Sequence, residues 1–244
     1  MALPMLDITP SLDIASPVRS GTPRANAGAS ISAEAACYAV LRRLAPALRH
    51  DMAGAMQPLG MIAMVLQRRL QMPVPDLQAI AKNVAAISTL AKEASAGCMN
   101  AIGWLAPHEA LSVGLQAGVE EVIKLLALVL SVCGLVPVVE MTAGSTLAPQ
   151  IFFRTVVAGA VFALCDQRGQ AGTLQISCEG SDGHHAEVLM LRVVADPAAG
   201  VSTQPLNPRC ISWQDVEAMA ATFDLAVARG EGWITLAVPT EAVL

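Results

Sequence analysis

The chain has 244 residues, enough for one or two domains with a sizeable core. Its hydrophobic fraction of 54% and charged fraction of 14% favour helices that pack closely through small residues and leave a surface to be covered. The net charge of −5 argues against a nucleic-acid binder, and the apolar runs are too short to span a membrane. With no signal peptide visible, we expect a cytoplasmic protein that binds neither nucleic acid nor membrane.

The first part of the chain predicts an arm followed by two helices. Residues 1–31 are rich in Pro, Ser, Ala and Gly without hydrophobic periodicity, which predicts a flexible arm. From Leu41 onward an apolar stripe at steps of three, four or seven predicts a helix that ends near Leu70. Residues 77–105 carry an alternating three-four repeat over roughly four heptads, which is typical of a bundle seam. We therefore predict that residues 32–106 form a hairpin that pairs with a second copy as a four-helix bundle, making a homodimer.

The remaining residues, 107–244, change to shorter and alternating elements. Helices that alternate with mostly antiparallel strands favour an α/β sandwich, a single sheet with helices on one face. The predicted fold class of the whole chain is therefore α+β. The predicted elements are helices over 109–133, 149–167 and 212–223, strands over 136–141, 172–180 and 186–196, and a closing hairpin over 224–239.

The first helix carries a His50–Asp51 pair in the segment "LRHDMAGAMQPL". A histidine ringed by small residues leaves space for another protein's active site to approach. Gly54 costs a helix about 1 kcal/mol relative to alanine, so something other than helix stability favours it. Helical geometry places these neighbours on the face of position 50: Arg43, Ala47, Ala53, Gly54 and Gln57.

The chemistry available to this pair is nucleophilic. A neutral imidazole has a free ring nitrogen that can attack a phosphoryl group, and Asp51 can accept from the ring N–H or take up the released proton. The alternatives are a histidine packed inside a bundle and an ordinary solvated aspartate. No metal site is predicted, because the six cysteines are scattered, with no CxxC pair and no histidine at ligand spacing.

The "LRHDMAGAMQPL" segment and the order of elements after it resemble a histidine kinase core over roughly residues 32–240. The resemblance implies that His50 is the phosphorylated histidine and that residues 107–244 form a degenerate ATP-binding-like sandwich. "VFAL" stands where the family has a magnesium-binding asparagine, and "DPAAG" keeps only Asp196 and Gly200 as vestiges of the adenine-reading motif. The lid segment 201–213 has no glycine to cradle phosphates.

This combination is most similar to the kinase-derived, dimeric histidine phosphotransferases of bacterial phosphorelays. The resemblance implies transfer of a phosphoryl group between response-regulator receiver domains through phospho-His50, without autokinase activity. It also implies no stably bound cofactor, with Mg²⁺ supplied by the receiver. The alternatives are a divergent ATP-dependent histidine kinase and a non-catalytic pseudokinase that binds a receiver or regulator. The predicted docking residues are Arg43, Ala47, Ala53, Gly54 and Gln57.

Overall fold

The computed structural model is α+β: two long helices form an N-terminal hairpin, and a sheet with helices follows. None of the helices in the described part of the chain has an apolar stretch sufficient to cross a membrane. The structure describes residues 23–105, 111–141, 146–167, 171–179, 187–196 and 210–239, with side chains described from residue 32 onward.

Two helices make the hairpin, α1 (Pro23–Leu70) and α2 (Leu77–Leu105). The prediction of a flexible arm is wrong for residues 23–31, which belong to α1; the earlier part of the predicted arm lies outside the described residues. This stretch is rich in alanine, the best helix former, so helix propensity extends α1 where there is no apolar periodicity to reveal it. The predicted helical hairpin is confirmed, and its pairing with a second copy stays a prediction.

The hairpin is held by a capped turn and by close packing between its helices. The Asp76 carboxylate accepts the N–H groups of Gln78 and Ala79, both at 3.0 Å, and so satisfies donors that the start of α2 leaves free. Farther along, a Cβ placed on Gly97 would lie 3.6 Å from the Cβ of Ala55, which is ordinary contact between α2 and α1. The turn and this contact make α1 and α2 antiparallel neighbours.

A five-stranded mixed sheet organises the second part of the chain, in the order β2-β4-β5-β7-β6. The β2–β4 pair is parallel and the other pairs are antiparallel, while β1 and β3 form a separate antiparallel pair. The strands are β1 (Ser112–Gly114), β2 (Leu135–Glu140), β3 (Leu147–Pro149), β4 (Gly172–Glu179), β5 (Val188–Ala195), β6 (Val227–Gly230) and β7 (Trp233–Ala237). The helices are α3 (Leu115–Val132), α4 (Gln150–Phe152), a π-helical turn (Phe153–Val157), α5 (Ala158–Gln167) and α6 (Trp213–Ala221).

The helices cover one face of this sheet, as the sequence predicts. Strands β4 and β5 alternate along their length: Leu174 and Ile176 are fully buried, as is Leu191, which is paired with Ile176. Their neighbours Thr173 and Gln175 are only partly buried and lie on the other face. The core therefore lies between one face of the sheet and helices α3, α5 and α6, and α1 packs against it from outside.

Candidate functional site

On the face of α1 that carries Arg43 and His50, burial ends between Ala47 and His50. Arg43 and His50 are seven residues apart, which puts them about 20° apart around the helix and about 10 Å apart along it. The side chain of Arg43 is 8% exposed and Ala47 is likewise 8% exposed, whereas His50 is exposed. His50 thus projects from a long helix just beyond the edge of a folded domain.

The surface of α1 beyond this edge is open. Asp51, Ala53, Gly54 and Gln57 are all exposed, and a Cβ built on Gly54 would meet nothing within 4 Å. Among the described residues, no hydrogen bond or ion pair engages the side chain of His50 or of Asp51. The histidine is therefore not part of the core of a single copy.

Arg43 and Ala47 are not on this open surface, so their prediction as docking residues is wrong. Arg43 forms an ion pair with Asp166, and its guanidinium carbon lies 4.3 Å from the ring centroid of Phe162. The Asp166 carboxylate also accepts the N–H of Ile211 at 2.8 Å. Neighbour geometry within one helix identified the face correctly, but it could not show that α5 packs on the first half of that face. We call this group the Arg43 anchor.

A second buried arginine attaches the other helix of the hairpin. Arg154, in the π-helical turn, is 5% exposed, and its Nη2 donates to Oε1 of Glu121 at 2.6 Å. Its guanidinium carbon lies 5.0 Å from the ring centroid of Trp104, near the end of α2. A Cβ on Gly103 would lie 2.7 Å from Nη1 of Arg154, so a larger residue there would require the guanidinium to shift. We call this group the Arg154 anchor.

Neither anchor follows from hydrophobic periodicity, although the sequence contains a signal for them. The predicted helix over 149–167 is apolar except for a few positions, and Arg154 and Asp166 are its charged residues. Charges in a buried helix need partners, because an unpaired buried charge is strongly destabilising. That rule predicts buried ion pairs on this helix, but it cannot identify Arg43 and Glu121 as the partners.

The stretch of α5 that the sequence analysis compared with a magnesium-binding segment is buried and apolar. Val161–Leu164, the "VFAL" stretch, are at most 1% exposed, and Arg43 of α1 lies over Phe162 in the same stretch. Asp196 is exposed at the end of β5, while Gly200 and most of the predicted lid lie outside the described residues. Within the described ranges, no three His, Cys, Asp or Glu side chains are placed to hold a metal ion.

A thiol pair lies close to the Arg43 anchor. A hydrogen bond from Cys165 lowers the pKa of Cys133, at the end of α3, to about 7, and the charge of Arg43 acts in the same direction. The same hydrogen bond, together with burial, raises the pKa of Cys165. Cys133 is therefore the thiol of the pair that ionises near neutral pH.

We expect the alkylation rate of Cys133 to reach half its maximum near pH 7, because the thiolate is the reactive form. Cys165→Ala removes the hydrogen bond, so the midpoint should rise toward the ordinary thiol value and the rate at pH 7 should fall. Cys178 serves as the internal control, since burial and Glu187 raise its pKa to about 11. Iodoacetamide labelling followed by mass spectrometry gives the alkylation rate of each cysteine as a function of pH. An unshifted Cys133 midpoint in the Cys165→Ala variant would contradict the role of Cys165.

Comparison with known proteins found similar chains among solved structures. No family model and no curated protein matches the sequence. Among solved structures, the histidine kinase AdeS of Acinetobacter baumannii is 18% identical. The matched region covers 75% of this chain and 98% of the AdeS chain, with a TM-score of 0.43. A histidine kinase from Burkholderia phymatum STM815 is 15% identical, with coverages of 81% and 98% and a TM-score of 0.37. A bacterial phosphotransferase is 13% identical, with coverages of 80% and 94% and a TM-score of 0.34.

Proposed function

We propose that the chain is a histidine phosphotransferase of a two-component phosphorelay, which moves a phosphoryl group between receiver domains through phospho-His50. The observation that carries the proposal is the change in burial along one face of α1. Arg43 and Ala47 are covered, while His50 and Gly54 on the same face are exposed. A nucleophile on a long helix, with open space beside it, is accessible to the active site of another protein.

The proposed step is an in-line transfer. A ring nitrogen of His50 attacks the phosphorus of a receiver's aspartyl phosphate, the N–P bond forms, and the P–O bond to the aspartate breaks. The aspartate leaves as a carboxylate, and the proton on the other ring nitrogen passes to Asp51 or to water. Reversal of these steps on a second receiver completes the relay. The reacting atoms must come within about 3–3.5 Å of each other, and Mg²⁺ belongs to the receiver's own site.

A donor comparison tests this function against its two alternatives. The protein is incubated separately with a phosphorylated receiver and with Mg-ATP labelled at the γ-phosphate. We expect acid-labile phosphate on the chain from the receiver alone, because the buried apolar side chains of Val161–Leu164 in α5 offer no magnesium ligand. Labelling from ATP, or micromolar Mg-ATP affinity in calorimetry, would support the divergent kinase instead. Receiver binding without transfer would support the pseudokinase.

We propose further that the protein works as a homodimer joined through the hairpin. On α2, the exposed residues Leu77, Val84 and Ile102 lie within about 20° of one another around the helix. Pairing with a second hairpin would bury this seam in a four-helix bundle. Other large apolar side chains exposed along the hairpin are Met56, Met61, Met64, Val65, Leu70, Met72, Val74, Met99 and Leu105.

Val84→Asp is expected to weaken dimerisation at least tenfold. Val84 is 52% exposed in a single copy, so an aspartate there stays solvated in the monomer but becomes an unpaired charge in the bundle. Thr89→Asp is the matched control, because Thr89 is exposed and about 140° away around α2. Light scattering across a micromolar dilution series measures the dimerisation of both variants and of the wild type. A wild type that is monomeric throughout the series would exclude the dimer.

A further inference from the structure

We infer that Arg43 and Asp166 are positioning residues for the proposed transfer, holding the sheet domain in a fixed place beside His50. The inference rests on the proposed function. Neither side chain lies on the open surface around His50: they are 8% and 7% exposed. Their effect on transfer would therefore pass through the placement of the domain rather than through contact with a receiver.

The Arg43 anchor joins three elements at one point. Arg43 comes from α1, Asp166 from the end of α5, and the Ile211 N–H from the residue just before the α6 cap, Ser212. The Asp166 carboxylate accepts from both of the other groups, and Phe162 lies beneath the guanidinium. Moving the domain away from α1 would break this ion pair and expose the ring of Phe162 beneath the guanidinium, so the contact opposes the movement.

The Arg154 anchor makes a second attachment, on the other helix of the hairpin. Glu121 of α3 and Arg154 of the π-helical turn are paired against Trp104 of α2. The sheet domain is thus attached separately to α1 and to α2. A body held at two separate points cannot swing about either one without breaking a buried contact, so the two anchors together oppose rotation of the domain against the hairpin.

This fixed placement has a consequence for docking at His50. Arg43 and His50 lie on one face, about 10 Å apart along α1, so the edge of the sheet domain bounds the space from which a receiver can approach. If the anchor is loosened, the domain moves into the space beside His50 or away from it. Fewer encounters with a receiver then lead to a productive complex. The nucleophile itself remains on an intact helix. Loosening should therefore raise KM for the phosphorylated receiver and leave kcat nearly unchanged.

Asp166→Asn tests the inference with little change of shape, because the amide oxygen can still accept the Ile211 N–H while the charge pair is lost. We expect faster amide hydrogen exchange at the end of α5 and in α1 around Arg43, and a KM raised roughly fivefold or more with kcat within about twofold. Arg43→Lys keeps the charge but not the planar contact with Phe162, and should give a smaller change in the same direction. Arg42→Ala, at the exposed neighbouring position, should match the wild type.

Two outcomes would overturn the inference. One is Asp166→Asn with wild-type exchange and wild-type KM; the other is a fall in kcat at constant KM, which indicates a smaller folded fraction rather than altered positioning. Arg229→Ala breaks an exposed ion pair with Glu217, at 43% and 46% exposure, and controls for loss of any ion pair in this domain. Failure of the proposed function is recognised separately, because transfer would then persist in His50→Ala while the exchange result for Asp166→Asn would still stand.

Discussion

His50→Ala is expected to reduce phosphoryl transfer between receivers to the level measured without the protein. The substitution removes the proposed nucleophile, and no other group on the open surface of α1 supplies an equivalent nitrogen. His50 is exposed and makes no hydrogen bond with another described residue, so its removal leaves neither a cavity nor an unpaired polar group. Stability should therefore change by no more than about 0.5 kcal/mol, as is usual for surface positions.

The matched control for this variant is Arg49→Ala, at the exposed preceding position on α1. It should retain transfer while showing the same thermal unfolding midpoint as the wild type. Transfer is measured as loss of label from the donor receiver together with gain of label on the acceptor. Phosphoryl transfer that persists in His50→Ala would exclude the whole assignment, whatever the control shows.

Gly54→Leu is expected to block receiver docking and transfer while leaving the fold stable. Gly54 lies about 40° around α1 from His50 and about 6 Å along it, so a leucine there would occupy the space that an approaching receiver needs. A side chain at this position meets nothing in the chain itself, because a Cβ would have no neighbour within 4 Å. Since leucine is the better helix former, the free energy of unfolding should rise by roughly 0.5–1 kcal/mol.

Gly60→Leu is a closely matched control. Gly60 is also exposed in α1 and also has nothing within 4 Å of a built Cβ, but it is about 120° away from Gly54 around the helix. The two variants should therefore gain similar helix stability, and only Gly54→Leu should lose receiver binding in calorimetry. Equal transfer by both variants would contradict the docking role of Gly54 without affecting the role of His50.

The hairpin could be predicted because its apolar periodicity is long and regular. The stripe from Leu41 onward and the repeat over 77–105 locate α1 and α2. The start of α1 could not be placed, because an alanine-rich stretch forms a helix by propensity without showing periodicity. Strands β1 and β3 show no periodicity either, because they have three residues each. They also pair across a long separation in sequence.

The same distinction, between local helix geometry and tertiary contacts, applies to the candidate site. Helical geometry correctly groups Arg43, Ala47, His50 and Gly54 on one face, since that grouping depends only on the repeat of the helix. Which members of the face are covered depends on where α5 packs, and this is a tertiary contact that spacing along α1 does not encode. Arg43 was therefore assigned to a receiver, although its partner is Asp166, far along the same chain.

The most direct test of the central claim is to locate the phosphate after the protein is mixed with a phosphorylated receiver. Trypsin cleavage after Arg49 and Arg68 releases residues 50–68, which contain His50 and no Ser, Thr, Tyr, Cys or Lys. We predict that tandem mass spectrometry at neutral to alkaline pH will find an acid-labile, alkali-stable phosphate on His50 in this peptide. Phosphate on any other peptide, or an alkali-labile acyl phosphate on Asp51, would contradict the account.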